Sequence, residues 1–404
     1  MKKAVIYGGG KIGRGFIGML FSRSGYEVSF VNRSAETIDL MNTRRQYSVR
    51  YVSSGGYEDE TVSPIAAIDG NNPEAVSDAI ADCDIMATSV GARALEKIVP
   101  ILVSGIRKRW AAGKEPLNII ICENVMDANL LLEKLIKAEL SPSEYARFDE
   151  TVGLIEASIG RMVPIQTEEM TGEDPLRICV EKYGFLPVDK AAFRGEIPEI
   201  DSMVPFSPFD FYVKRKLYIH NMGHATCAYL GNYLGLEYIY ESIGVGAVRC
   251  IVQNAMTESA AAMSRKYGVE IQDILDHVND LLYRFTNAAL GDTCERVGAD
   301  PARKLSPADR MTGSSKTALE QGIFPAYICV GAAAAVMRYI NETDGLEQSR
   351  ETALKVLSEV SKLEEPELKD AILGFYDMLL DRASPEELLR RADELKHIKT
   401  GDVI

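Results

Sequence analysis

Positive charge is what this chain has too little of: 45 Lys and Arg face 59 Asp and Glu, a formal net charge of −14 over 404 residues. Nucleic acid and anionic membranes demand a basic surface, so neither is expected as the main partner, while a local cationic pocket stays compatible with the total. Cysteine is scarce and unpatterned. Cys83, Cys122, Cys179, Cys227, Cys250, Cys294 and Cys329 are odd in number and never spaced Cys-x-x-Cys, which reads as reduced, buried thiols of a cytoplasmic protein. Long hydrophobic runs are missing too. The longest nearly apolar stretch, Phe324 to Met337, falls short of the ~20 residues that span a bilayer and reads as a buried helix of a soluble protein. No apolar signal core precedes the first strand, and there is no internal repeat, low-complexity segment or charge block. What is present, 46% hydrophobic residues, fills two ordinary domains.

The first half alternates strands with helices, the pattern of a parallel sheet whose binding crevice lies at the carboxyl ends of its strands. Lys3 to Tyr7 is a strand, followed by Gly8-Gly9-Gly10-Lys11-Ile12-Gly13 and a helical pattern to about Ser24. Gly8, Gly10 and Gly13 fit a dinucleotide fingerprint, with Lys11 and Ile12 inside the turn and the helix N-terminus offering N–H groups to phosphates. A second strand, Glu27 to Val31, ends at Asn32 and Arg33, where an acidic residue would accept from both adenosine ribose hydroxyls and favour NAD. Without that carboxylate a 2'-phosphate is not repelled and Arg33 can pair with it, so NAD and NADP both stay open. A helix from Ala35 to Arg45 and a hairpin-like stretch from Tyr47 to Ile68 follow. The strands Asp84 to Val90 and Asn118 to Cys122 then bring Val90, Gly91 and Asn124 to the same crevice, unless Asn124 only caps a helix starting at Val125.

Val152 to Arg194 is again strand-rich, with Val152 to Val163 and Arg177 to Tyr183 as candidates, and Pro198 to Pro208 carries three prolines. That proline cluster divides the chain into domains 1–200 and 201–404. Beyond it the strand signal ends, and helical spacing recurs over Val248 to Tyr267, Ile271 to Phe285, Ala326 to Tyr339, Arg350 to Leu363 and Pro366 to Asp381.

The helical half opens on Lys214 to Gly231, which holds two of the four histidines. With no proline between Phe209 and Met263, a long helix is expected, and a step of about 100° places Lys216, His220 and His224 on one stripe with Asn221 on its flank. A lysine can take an alcohol proton once its pKa falls below the ordinary ~10.4, through burial or a nearby cation such as Lys214 or Arg215. Asn221 can donate to a developing alkoxide. His220 and His224 are also spaced for zinc, but Asn221 stands where a metalloprotease has glutamate and no third ligand announces itself, so no metal is expected. On its own, Lys216 would be an ordinary solvated helix lysine.

Lys216, four residues, Asn221, two residues, His224 resembles the signature of the polyol-specific long-chain dehydrogenases, the mannitol dehydrogenase superfamily. The resemblance covers most of the chain, from Tyr7-Gly-Gly-Gly-Lys-Ile-Gly-Arg-Gly-Phe-Ile-Gly18 through Pro116-Leu-Asn-Ile-Ile-Ile-Cys-Glu-Asn124 to Arg303-Lys-Leu-Ser306. It implies an α/β Rossmann-type NAD(P)-binding domain with an antiparallel sheet extension, followed by an all-helical domain. It also implies a metal-independent oxidoreductase, a monomer or small homo-oligomer, with Lys216 as general base. Asn124 and Asn221 would then polarise the reacting oxygen, Asn124 also touching cofactor, while His224 binds a hydroxyl or holds geometry. Arg296 and Lys304, eight apart, would bind substrate oxygens. Arg303 and Arg310 are further cations beside them, unless Asp300 and Asp309 merely neutralise both.

The expected reaction is interconversion of a hexitol phosphate and a ketose phosphate, with unphosphorylated polyols or hexuronates as the alternative substrates. The sequence departs from the family's pattern in Asn32, Gly160 and Lys214, each standing where a carboxylate is expected. The last two motivate a non-enzymatic alternative, an NAD(P)-binding sensor that has lost catalysis.

Overall fold

A computed structural model describes residues 1–114, 116–125 and 127–400. The chain divides into two compact units, Met1–Asp210 and Phe211–Ile404.

In the first unit the strands are β1 (Lys2–Tyr7), β2 (Tyr26–Asn32), β3 (Tyr47–Ser53), β4 (Gly56–Val62), β5 (Ile65–Asp69), β6 (Ile85–Thr88), β7 (Leu117–Ile121), β8 (Val152–Glu156), β9 (Ile178–Val180), β10 (Leu186–Asp189) and β11 (Met203–Phe206). Six form one sheet in the order β5-β2-β1-β6-β7-β8, and every pairing in it is parallel. Both faces are covered, so successive residues feed opposite cores. Ala4 and Ile6 join one apolar cluster with Val28, Phe30 and Ile155, while Val5 and Tyr7 join another with Met86, Ile119 and Ile121. That double burial explains why these strands read as continuous apolar runs. The strand order reverses between β1 and β6, which is where an open α/β sheet leaves its crevice.

Two expectations are corrected here. The stretch after Val152 does not extend the sheet in antiparallel sense: β8 pairs in parallel with β7, because the helices Ala128–Glu139 and Tyr145–Thr151 return the chain to the same end. Likewise β9 pairs in parallel with β3 and β10 with β11. Antiparallel pairing is found instead in the hairpin β3–β4 and in a bridge between Ala157 and Val188. Second, Cys250 is exposed, on the helix Gly246–Tyr267, while the other six cysteines are buried.

The second unit is helical. The apolar run beyond Phe324 forms the helix Ala326–Glu342, buried continuously from Ala326 to Val336. It packs against Met222–Tyr233, Gly246–Tyr267 and Pro366–Leu380. Gly331 allows one of these crossings, since a Cβ there would lie 2.3 Å from Thr226 Oγ1 on Met222–Tyr233. Among the described residues no helix is long and apolar enough to cross a membrane.

The helix Asp210–Arg215 continues into Lys216–Asn221 and Met222–Tyr233, with helical dihedrals at both junctions. The middle piece is a π turn rather than the α-helix expected. In a regular α-helix Asn221 would sit about 140° around the axis from Lys216. A π turn takes in one more residue and pairs positions five apart, which brings Asn221 back over Lys216.

Candidate active site

The dinucleotide corner belongs to the first unit. Gly8 has φ +113, and a Cβ on it would lie 2.4 Å from Ser89 O. At Gly13 a Cβ would lie 2.0 Å from Gly8 O. The turn therefore closes only with hydrogen at both positions. Gly10 has open space where its Cβ would be, as a phosphate approaching the backbone requires. Lys11 is exposed, and Ile12 is half-buried against the core.

Several groups fix this turn. Ser89 donates from Oγ to Gly8 O at 2.8 Å, and Arg14 donates from Nε to Gly9 O at 2.8 Å. Residues Gly13–Ile17 form a second π turn. Arg161 holds it, donating to Gly15 O at 2.7 Å and lying 4.6 Å above the Phe16 ring. Burial pulls the Arg161 pKa down to about 10. Gly160, the preceding residue, faces Tyr183: a Cβ there would lie 3.1 Å from the ring.

Val90 and Gly91 follow β6, and their N–H groups donate to the two carboxylate oxygens of buried Glu123 at 2.9 and 2.7 Å. Glu123 thus fixes the backbone of Val90 and Gly91 at the carboxyl end of β6, a part that sequence reading did not assign to it. Asn124 is exposed just beyond β7. It does not cap a helix: the next one is Ala128–Glu139, with Asp127 at its N-cap.

In the second unit Lys216 is half-buried. Burial, and then the positive charge of Arg310, lower its pKa to about 8. Lys214 and Arg215, expected to supply that charge, are turned away by the helix. Lys214 lies over the Tyr218 ring and Arg215 over Tyr212. The Tyr218 hydroxyl donates to Ala308 O at 3.2 Å, tying the loop that carries Arg310 to the lysine-bearing helix.

His220 is buried, and burial followed by Arg284 hold its pKa well below the usual imidazole range. His224 stacks on Phe285, and burial brings its pKa down to about 4. Its Nε2 is 3.5 Å from Asp292 Oδ2 but in no hydrogen bond among the described residues. A neutral imidazole beside a carboxylate makes no ion pair, so that nitrogen remains available to a ligand hydroxyl.

The expected substrate cations are placed unequally. Arg296 is half exposed and paired with Asp292, so Asp292 serves Arg296 and faces His224 as well. Arg303 bonds Asp300 at 2.7 Å and Asp309 at 3.3 Å, the structural role weighed for it. Arg310 bonds Asp309 at 2.9 Å. Lys304 is buried and donates to Ala299 O. Burial, followed by Arg310 and Arg303, lowers its pKa to about 8. Arg310 lowers the pKa of Lys216, His224 and Lys304 alike, whereas Arg303 does so for Lys304 alone among the three. Sequence reading missed the parts of Phe285 and Asp292, an aromatic and an acid inside the 283–298 segment.

Comparison with known proteins covers both units. The mannitol dehydrogenase Rossmann domain matches residues 2–202, and the mannitol dehydrogenase C-terminal domain matches 209–374. A mannitol-1-phosphate 5-dehydrogenase of Brevibacillus brevis is 35% identical over 333 residues, 82% of this chain and 85% of that one. Substrate-free D-sorbitol dehydrogenase has a similar fold, with TM-score 0.79, 14% identity and coverage of 96% of this chain and 94% of the other. So does Pseudomonas fluorescens mannitol 2-dehydrogenase, solved with NAD and D-mannitol: TM-score 0.71, 14% identity, coverage 97% and 94%.

Proposed function

The chain belongs to the mannitol dehydrogenase family of nicotinamide-dependent oxidoreductases, and within it we propose a hexitol-phosphate dehydrogenase that interconverts mannitol 1-phosphate and fructose 6-phosphate. One observation carries the mechanism: Lys216, in the π turn, has its pKa lowered to about 8 by burial and by Arg310. An amine with that pKa is about one-tenth unprotonated at pH 7 and about half at pH 8, enough to act as a base.

The glycine turn supports dinucleotide binding through its open Gly10 and its fixed Gly8 and Gly13. Nicotinamide, when bound, accepts the hydride from the carbinol carbon. Lys216 Nζ takes the hydroxyl proton during oxidation and returns it during ketose reduction. The Asn221 amide donates to the oxygen as negative charge builds, a stabilisation worth about 2.7–4 kcal/mol for comparable amides. His224 stays neutral and offers Nε2 to a neighbouring hydroxyl. Lys304 and Arg310 supply positive charge for the phosphate, and Arg296 adds to it from a more exposed position.

Conversion of mannitol 1-phosphate with either cofactor, lost in Lys216→Ala while dinucleotide binding persists, is the result expected. Full activity of that variant at neutral pH would remove the base. A second reading has one observation in its favour: Arg296, Arg303 and Arg310 each already pair with a carboxylate, which suits an uncharged polyol. Faster turnover of mannitol than of mannitol 1-phosphate would select it.

A further inference from the structure

At the end of β2 the orientation of the Asn32 amide is fixed. Asn32 Oδ1 accepts from Arg33 N at 2.7 Å and from Ser34 N at 3.1 Å. Two backbone donors on one atom fix which end of the amide is which, so Nδ2 is the end turned toward the glycine turn. It lies 3.1 Å from where a Cβ on Gly9 would be. An aspartate in the same pose would present a second oxygen there, ready to accept from both ribose hydroxyls. This chain presents a donor instead.

One cation stands beside this corner. Arg33 is exposed, and its stem runs over Gly70, where a Cβ would lie 3.2 Å from Arg33 Cγ. The Ser34 hydroxyl caps the helix Ala35–Arg44, accepting from Thr37 N at 3.4 Å. Two carboxylates lie on the elements beside this corner. Asp69, in register with Asn32, is engaged through Oδ1 with Asn71 N and Nδ2 at 2.9 and 3.0 Å. Glu36 is exposed in the first turn of the helix.

We propose that Asn32 Nδ2 and the Arg33 guanidinium form a site for a 2'-phosphate on the adenosine ribose, so that this enzyme prefers NADP(H) to NAD(H). An arginine fork and an amide donor match phosphate oxygens, whereas neither rewards an unmodified ribose as a carboxylate does. The inference rests on the dinucleotide reading of the glycine turn and sharpens it.

Direct titration of the full chain with NADPH and with NADH, without polyol, tests it by nucleotide fluorescence. Expected is NADPH binding at least about tenfold tighter, with 2',5'-ADP displacing it better than 5'-ADP does. Arg33→Ala should lose at least about tenfold in NADPH affinity and little in NADH affinity, and Asn32→Asp should invert the preference. Circular dichroism checks that both variants fold. Equal or tighter NADH binding by the unaltered chain overturns the inference and leaves the dehydrogenase reading standing. So does an equal loss of both nucleotides in Arg33→Ala, since an arginine stacked on adenine does not discriminate between them. Binding of neither nucleotide overturns both.

Discussion

The imidazole of His224 lies face to face with Phe285, ring centroids 4.7 Å apart and planes 13° from parallel. The stacking leaves its edge, with Nε2, toward Asp292. Burial outweighs that carboxylate, and the ring stays neutral well below its usual pKa of 6.5, down to about 4.

A stability profile follows from that shift. As pH falls from 6.5 toward about 4 the unfolded chain takes up a proton that folded His224 refuses, so stability is present above the window and is lost within it. The loss is up to about 3 kcal/mol. Urea midpoints measured from pH 8 to pH 4 should fall more steeply in the wild type than in His224→Gln. Parallel curves would mean that the imidazole is not held neutral. His220, lowered in the same direction, leaves a residual slope in the variant.

Lys216 predicts the pH dependence of catalysis. With Lys216 as the proposed base, polyol oxidation requires the unprotonated amine, so kcat/KM should rise through a pH of about 8 and level off above it. Ketose reduction needs the protonated form and should decline over the same interval. Replacing Lys216 by Ala should lower oxidation by about 10²–10⁴-fold.

Arg310 should act through that lysine. Arg310→Gln removes the cation that lowers the Lys216 pKa, so the oxidation profile moves to higher pH and activity at pH 7 falls. Activity lost at pH 7 should be recovered in part at pH 9.5. A uniform loss at all pH values would instead assign Arg310 to substrate binding alone.

Glu123 is predicted to matter without touching the reacting atoms. Glu123→Ala strips both the Val90 and Gly91 N–H groups of their acceptor, which should cost about 3 kcal/mol of stability. Glu123→Gln keeps one acceptor and should recover part of the loss in a thermal melt.

How much of this was legible from residues alone varied with the range of the interaction. The helix Ile271–Phe285 was read at both ends, because its apolar spacing is local. The β1 turn was equally plain, since only glycine meets the contacts at Gly8 and Gly13. The direction of β8 was misread because a strand's partner is a tertiary choice that its own sequence does not encode. Lys214 and Arg215 were credited with the effect of Arg310 for a related reason: proximity in sequence is not proximity around a helix. The spacing of Lys216 and Asn221 did hold a clue. Five residues suit a π turn better than an α-helix, but nothing in composition marks such a turn.

The surplus residue in Lys216–Asn221 is taken up locally by the wider turn. Excising one amino acid there would relax the coil to ordinary winding and leave everything downstream in phase. Met222, Ala225 and Cys227, all now enclosed, would keep their seats. A point replacement in this turn tests one side chain, whereas a one-codon deletion tests the spacing of the chemistry with the core left in place.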